Sequence, residues 1–505
     1  MALNTVFSWF ITKRTHQIEL FMKHPIEVQE ELFYYLIEEA GATRFGFDHN
    51  FQQIKNINDF KENVPIRTYE QFRPYIDKIK DGEEQVTWPT KVKWFAKSSG
   101  TTDNNSKYIP VTQEALDECH YKGGKDLLSI YYHIQSTAKL YNGKTLVVGG
   151  SSKIVHDHQG KLTGDLSAII IDNLPSWVEN KRTPSKEIAL MDNWEDKLEA
   201  MAEATMNENV TNIAGVPSWT LLLLQKICAK KGIQSIHEAW PNFELYMHGG
   251  ISFLPYKSQF EALFTQPVHF METYNASEGF FGIQDRKNAD DMLLMLDYGI
   301  FYEFIPMNQL SEEKPHTLGL GEVEIGPSYA VVISTNGGLW RYLIGDTVRF
   351  TSTHPFRIKI TGRTKQYINI VGEELMVENA EQALSNACKL HNCSITDYTV
   401  GPIMSDKDDA IAHHHWIIEF NIQPSDLSQF AVDLDNFLRR INSDYDAKRK
   451  GDLNLTMLKI QNVPASTFLG WMKHRGKLGG QNKVPRLHPN NDYIKDLHDF
   501  LENRD

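Results

Sequence analysis

Apolar positions recur at different spacings along this chain, and the changes of spacing divide it into three stretches. Through about residue 90 the period is helical: Ile18, Phe21, Met22 and Ile26, then Leu32, Leu36 and Ile37, each fall on one side of a helix. Val64-Pro65 and Pro74-Tyr75-Ile76 stand in this stretch as expected helix stops, because proline lacks an N–H and clashes with the preceding turn. This part reads as scaffold.

From 91 to about 350 short apolar runs end in polar or glycine-containing loops. Lys144-Thr-Leu-Val-Val-Gly-Gly-Ser, Val210-Thr-Asn-Ile-Ala-Gly-Val-Pro-Ser, Leu245-Tyr-Met-His-Gly-Gly and Pro267-Val-His-Phe-Met-Glu-Thr-Tyr-Asn-Ala-Ser-Glu repeat this theme. Helix-like segments lie between them, one of them Leu-rich and ending at Lys230-Lys231-Gly232. The alternation predicts an α/β core whose loops gather ligands at the carboxyl ends of its strands. Residues 300–350 are richer in β-branched and aromatic residues and turn glycines, which predicts a smaller antiparallel sheet. After Thr361-Gly-Arg-Thr-Lys365 the pattern becomes α+β, with helices over 377–390 and 426–440 and strands over 416–422 and 455–460. A second domain of ordinary size is expected there.

A length of 505 residues favours more than one core, since single cores stop growing near ~250–300 residues. The net charge of −13 opposes nucleic acid and anionic membrane as partners. The run containing Arg439, Arg440, Lys448, Arg449 and Lys450 is broken by Asp444, Asp446 and Asp452, and reads as a solvated helix face. Four cysteines with no Cys-x-x-Cys pair fit a reducing compartment, and Cys388 and Cys393 read as packing or mild surface thiols. The opening Met1-Ala-Leu-Asn-Thr-Val-Phe-Ser-Trp-Phe-Ile has neither basic leader nor small-residue cleavage site, and reads as the first turns of an amphipathic helix. No apolar run approaches the ~20 residues of a membrane span. The expectation is a cytoplasmic protein.

Three polar clusters carry candidate chemistry. Ser98-Ser-Gly-Thr-Thr-Asp-Asn-Asn-Ser-Lys107 offers hydroxyls, backbone N–H groups, a permissive glycine and one cation, all suited to a polyphosphate. Its spacing is not that of a P-loop, and a polar surface turn is the alternative reading. Tyr274-Asn-Ala-Ser-Glu-Gly279 sets a hydroxyl and a carboxylate at the end of a strand, apt for Mg²⁺ and phosphate oxygens, or alternatively for capping a helix. Tyr342-Leu-Ile-Gly-Asp346 sets an acid after a presumed tight turn, where it suits ribose hydroxyls or an ordinary hairpin. His413-His-His415 in a strand-like run would point to alternate faces and is unsuited to hold one metal ion. Lys122 and Lys125 suit either an acyl carboxylate or an exposed helix face.

Taken in order, these clusters, with Asn63-Val-Pro-Ile-Arg-Thr-Tyr69 and Pro74-Tyr-Ile76, Thr361 to Glu374, and Gly480-Gln-Asn-Lys-Val-Pro-Arg486, resemble the auxin-responsive acyl acid–amido synthetase family, in a bacterial-type member. That family sits within the adenylate-forming superfamily of firefly luciferase and the acyl-CoA synthetases. The resemblance spans essentially the whole chain. One departure is Asp103-Asn104-Asn105 where the family's first loop carries a second glycine, although Asn tolerates left-handed backbone.

The resemblance implies a large N-terminal adenylate-forming α/β domain over 1–362 with a small β-barrel-like subdomain, a hinge at 363–368 with Lys365 near the pivot, and a mobile α+β lid over 369–505. It implies ATP, Mg²⁺, a small carboxylic acid and an amino acid acceptor as partners. Ser98, Ser99, Gly100, Thr101 and Thr102 would hold the β- and γ-phosphates, with Lys107 ordering their loop. Gly249 and Gly250 would border the adenine, and Tyr274, Asn275 and Ala276 the base and adenylate. Ser277 and Glu278 would face phosphate and metal, Tyr342 would bind the nucleotide, Asp346 would hold the ribose, and Arg363 would reach the ribose or α-phosphate. Lys483 would come from the lid to stabilise charge during adenylation. The rival readings are a thioester-forming acyl-CoA ligase and a nucleotide-binding regulator without turnover.

Overall fold

The computed structural model describes residues 14–98, 107–149, 155–156, 161–364, 366–371, 373, 375–404, 412–450, 455–478 and 483–503. Ser99 to Thr102, Asn104, Lys365 and the turns expected at the start of the chain lie outside the described residues. The chain folds as two compact units: one of 1–215, 237–250 and 266–360, the other of 216–236, 251–265 and 361–505.

In the first unit an eleven-stranded sheet runs in the order Ile300–Pro306, Ser328–Thr335, Tyr342–Thr353, Phe356–Arg363, Met292–Leu294, Gly279–Ile283, His269–Ala276, Leu245–Gly249, Val210–Gly215, Lys144–Val148, Arg182–Thr183. The last five are mutually parallel. Leu146, Ile213, Leu245 and Tyr246 on them are completely buried, as strands covered on both faces require. At Ala276–Gly279 the chain reverses in a hairpin; beyond it Gly279–Ile283, Met292–Leu294 and Phe356–Arg363 pair antiparallel in turn, as do Ile300–Pro306, Ser328–Thr335 and Tyr342–Thr353. The antiparallel strands expected over 300–350 are therefore one half of the main sheet, and the separate small sheet or barrel-like subdomain is not set apart from it. Hairpin reversal permits this, because antiparallel strands join edge to edge without a crossover helix.

Among the described residues a four-stranded sheet, Lys107–Val111, Trp94–Ser98, Leu162–Gly164 and Val155–His156, completes the strands of this unit. The helix Pro25–Ala40 starts with proline in its first turn and buries Phe33, Leu36, Ile37 and Ala40. Phe33 meets Phe301 of the sheet at 5.1 Å between ring centroids. Val64-Pro65 does end the helix Ile57–Asn63. Pro74 does not act as a stop: it lies inside the helix Tyr69–Lys80, whose Phe72, Ile76 and Ile79 are buried. The apolar face and a capping box between Thr68 and Gln71 outweigh the ~3 kcal/mol that an interior proline costs.

The second unit holds the antiparallel pair Ser394–Met404 and Ala412–Ile422, with Lys459–Val463 parallel to the latter. Against them pack the helices Val377–Leu390 and Leu427–Ile441, the second capped by the Asp426 carboxylate on Ser428 and Gln429. The Leu-rich helix Pro217–Lys231, which also belongs here, opens on proline and closes on Gly232 at φ 65°. The strand Ala412–Ile422 sends His414 into the core, 3.0 Å from Glu373, with His413 and His415 on the other face. Among the described residues no His, Cys, Asp and Glu group is placed to hold a metal ion. The basic run over 439–450 is only partly a solvated face: Arg449 is buried and forks onto Asp435 at 2.9 and 3.0 Å.

Candidate active site

Two irregularities of the large sheet bring the candidate residues of the first unit together. The first is the hairpin: Ala276 pairs with Gly279, leaving Ser277 and Glu278 as its two corner residues. Glu278 thus caps no helix; it stands half-buried at the tip of paired strands. The corner is backed by a turn of π-helix, Leu116–His120, whose Cys119 Sγ accepts the Phe280 N–H at 3.2 Å. π-Turns concentrate at functional sites. Burial pushes the Cys119 thiol up to about 12 and His120 down to about 4, so both stay uncharged beside the corner.

The second irregularity corrects the tight turn expected at Tyr342-Leu-Ile-Gly-Asp346. These residues lie within one strand, Tyr342–Thr353, and the register jumps from Val332↔Leu343 to Ala330↔Thr347. Ile344, Gly345 and Asp346 therefore bulge opposite Val331, and Gly345 takes φ 95°, a conformation open to glycine. The bulge turns Asp346, 9% exposed, toward the strand His269–Ala276, where the Tyr274 hydroxyl donates to its Oδ2 at 2.9 Å. Tyr342, completely buried, faces Glu278, Tyr69 and Asp346; burial first, then these acidic neighbours, holds its phenol well above the usual range.

Around this group the remaining predicted residues take their places. Gly249 sits opposite Thr273, one residue from Tyr274, and a Cβ there would lie 2.4 Å from the Thr273 carbonyl oxygen, so no other residue fits. Gly250 follows at φ 82°. Burial lowers the adjoining His248 to about 3. Asn275 is exposed and Ala276 half-buried on the same strand end. Ser98 and Lys107 are register partners, so the described ends of the hydroxyl-rich loop are pinned opposite each other. Lys107 Nζ stands 5.7 Å from the Tyr69 ring centroid, and the Tyr69 hydroxyl accepts the Tyr108 N–H at 2.9 Å.

Tyr69 is the neighbour that sequence reasoning quoted in a motif without assigning. Its place follows from Arg67, whose N–H and carbonyl bond to Arg341 and Leu343 at 3.0 and 2.8 Å, laying the 63–69 phrase alongside Tyr342. The available signal was the Thr68-to-Gln71 capping box, which starts a helix at Tyr69. Lys122 pairs with Asp297 at 3.1 Å, whereas Lys125 is exposed.

Arg363 and Lys483 belong to the second unit. Arg363 ends its strand and bridges to Gln366 just past Gly362. Lys483 is half-buried and precedes Val484, which packs with Ile417, Phe468 and Trp471.

Chemically, the first unit sets a carboxylate on a hairpin corner, a second on a bulge, a glycine pair and a lysine around one set of strand ends. That arrangement suits a nucleotide, with oxygen ligands at one end and a hydroxyl acceptor at the other. Known proteins resemble this chain along most of its length. The GH3 family N-terminal domain matches residues 14–268, the GH3 family central domain 293–363 and the GH3 family C-terminal domain 378–492. The chain is 24% identical to the indole-3-acetic acid-amido synthetase GH3.15 of Arabidopsis thaliana, over 93% of this chain and 92% of that one. The solved structure of the GH3.15 acyl acid amido synthetase superposes with a TM-score of 0.78 at 19% identity, covering 96% of this chain and 95% of that one. A 2-hydroxyisobutyryl-CoA ligase in its postadenylation state shares the fold more distantly, with a TM-score of 0.57 at 12% identity over 97% and 92% of the chains. Since the N-terminal match alone, 14–268, takes in more than half of the 505 residues, the chain belongs to the GH3 family, whose members are ATP-dependent acid–amino acid ligases.

Proposed function

We propose that this chain adenylates a small carboxylic acid and passes the acyl group to the amine of an amino acid. The observation that carries the reading is the convergence of Tyr274, Glu278, Tyr342 and Asp346 on one pair of strand ends in the first unit. A carboxylate resists amines because its charge repels them and oxide cannot leave. Adenylation removes both obstacles: a carboxylate oxygen attacks the α-phosphorus, pyrophosphate leaves, and the amine nitrogen then opens the mixed anhydride with release of AMP and a proton. Each ~1.4 kcal/mol of charge stabilisation is worth tenfold in these steps.

In this reading Asp346, oriented by the Tyr274 hydroxyl, accepts the ribose hydroxyls, and Tyr342 backs it. The Gly249-Gly250 pair lets the adenine approach the backbone, with Tyr274, Asn275 and Ala276 along its edge. Ser277 faces phosphate. The oxygen donors of the corner, Ser277 and Glu278, fit a hard divalent ion that takes most of its other ligands from phosphate and water, and Mg²⁺ there would neutralise phosphate charge. Ser98 to Thr102 hold the terminal phosphates and Lys107 orders that loop. Arg363 reaches the ribose or α-phosphate and Lys483 stabilises charge during adenylation, with a hinge at 363–368 between domains of 1–362 and 369–505. Among the described residues no helix is long and apolar enough to cross a membrane.

An acid-by-amine array read by pyrophosphate release and product mass tests this. Amide products formed with ATP and an amino acid, and no thioester when CoA replaces the amine, are expected. Thioester alone would replace the reading with an acyl-CoA ligase, and absence of pyrophosphate exchange with every acid would leave only a nucleotide binder.

A further inference from the structure

Three residues beyond Lys483, a guanidinium is buried where a tail would ordinarily carry a solvated side chain. Arg486 is 8% exposed. Its Nη1 bonds Asp397 and, at 3.1 Å, the Tyr398 carbonyl; its Nη2 donates to the Tyr256 hydroxyl at 2.8 Å. Its charge lies 4.7 Å from the Tyr398 ring centroid. The backbone around it is tied to the same strand, Ser394–Met404. Thr399 donates its hydroxyl to the Pro485 carbonyl at 2.7 Å, Val400 N–H to the Arg486 carbonyl at 2.9 Å, and His488 N–H to the Val400 carbonyl at 3.1 Å.

Tyr256 comes from elsewhere in the sequence. It stands in 251–265, the segment that continues directly from Gly249-Gly250 and that folds with the second unit. Gln259 of the same segment donates to the Ile395 carbonyl at 2.9 Å. One strand thus receives both the chain running on from the glycine pair and the chain running back to Lys483.

As a source of stability this cluster is inefficient. Among the described residues Arg486 Nε has no hydrogen-bond partner, a state costing roughly 1–3 kcal/mol when buried, and a buried ion pair often gains little over apolar packing. As a source of geometry it is effective: a planar fork held by a carboxylate, a carbonyl and a phenol fixes the direction of the backbone that bears it. Val484 alone would hold the tail down but leave its rotation open.

We infer that Arg486, with Asp397 and Tyr256, is the positioning device for Lys483, setting that lysine's approach in the adenylation half-reaction and playing no part in amide transfer. The inference rests on the role given to Lys483 under Proposed function. Arg486 touches no reacting atom; it acts through the lysine.

The test separates the half-reactions, using the acid that exchanges best in the array. Acid-dependent exchange of labelled pyrophosphate into ATP reads adenylation, and aminolysis of the synthetic acyl-AMP of that acid reads transfer. Tyr256→Phe, which removes one hydroxyl from a packed ring, should lower kcat for exchange about fivefold. Arg486→Lys, which keeps the charge and loses the fork, should lower it about thirtyfold. In both variants KM for ATP and the transfer rate should stay within twofold of wild type and the melting temperature should hold, whereas Lys483→Ala should abolish exchange and leave transfer intact. Wild-type exchange rates in Tyr256→Phe and Arg486→Lys, or equal losses in both half-reactions, would overturn the inference alone. No exchange by the wild type with any acid would instead overturn the function beneath it.

Discussion

Arg341, in the bend just ahead of the strand Tyr342–Thr353, and Asp346, within that strand, stand five residues apart, yet the fold treats their charges in different ways. Arg341 is fully enclosed by partners: Nε and Nη2 fork onto the Glu303 carboxylate, both at 2.9 Å, Nη2 also reaches the Thr317 hydroxyl, and Nη1 reaches the carbonyls of Lys61 and Val64 at 3.0 and 2.7 Å. Asp346 accepts a hydrogen bond from the Tyr274 phenol, a neutral donor that orients the carboxylate. The first arrangement spends a charge on architecture; the second keeps one directed at strand ends where ligands bind. A bend residue at φ 40°, locked onto the regular strand of Glu303, carries the first, and a bulge presents the second.

The sharpest way to break this contrast is to remove one partner from each side. Glu303→Ala strands the buried Arg341 guanidinium, and stability should fall by about 3–5 kcal/mol, seen in the urea midpoint. Asp346→Ala, which takes the acceptor from the buried Tyr274 hydroxyl, should lower the midpoint by less, about 1–3 kcal/mol, while pyrophosphate exchange falls about a hundredfold, close to 2.7 kcal/mol. Equal loss of stability in both variants would erase the distinction.

A third carboxylate lies between these extremes. Glu381, 6% exposed, is raised to about 7, chiefly by burial, although Arg486 and a hydrogen bond from Ser252 pull it down; Glu378 adds to the rise. The folded state therefore binds the Glu381 proton more tightly than the unfolded chain, whose carboxyl titrates near 4.5. The contribution of this group is complete below the unfolded value and is lost as pH rises from there through about 7, on the order of 3 kcal/mol. Glu381→Gln should match wild type near pH 4.5 and exceed it at pH 8, flattening the pH profile of the urea midpoint. Parallel profiles for the two proteins would show that Glu381 is solvated after all.

How much of this was legible in the sequence depended on how local the determining physics is. The helix Val377–Leu390 was read with its bounds, because a periodic apolar face is a local property. Pro74 was misread because burial of Phe72, Ile76 and Ile79 against distant residues overrides a local rule. The candidate site residues of the first unit are legible as an ordered set of motifs, but the device presenting Asp346 is not. A glycine before an acid reads the same in a turn and in a bulge, and only the register against Ala330 and Val332 separates them. Tyr69 beside Lys107 and Tyr256 against Arg486 depend on pairings across large spans of sequence that no spacing encodes.

The finest cut at the comparison is Tyr274→Phe, which deletes a single oxygen. The ring stays packed against Phe281, whose centroid is 4.6 Å away, so the core loses no volume. Asp346 loses one neutral donor, a change worth about 1 kcal/mol in stability. If the phenol serves to aim the carboxylate at a ribose, a looser Asp346 weakens nucleotide binding before it weakens chemistry, because the reacting phosphorus lies beyond the sugar. KM for ATP in the exchange assay should then rise about fivefold, equivalent to roughly 1 kcal/mol, with kcat nearly unchanged. A fall in kcat at constant KM would mean that the hydroxyl acts on the transition state. Asp346 would then be part of the phosphoryl chemistry and no simple sugar clasp, and the contrast with Arg341 would become one between architecture and catalysis in place of architecture and binding.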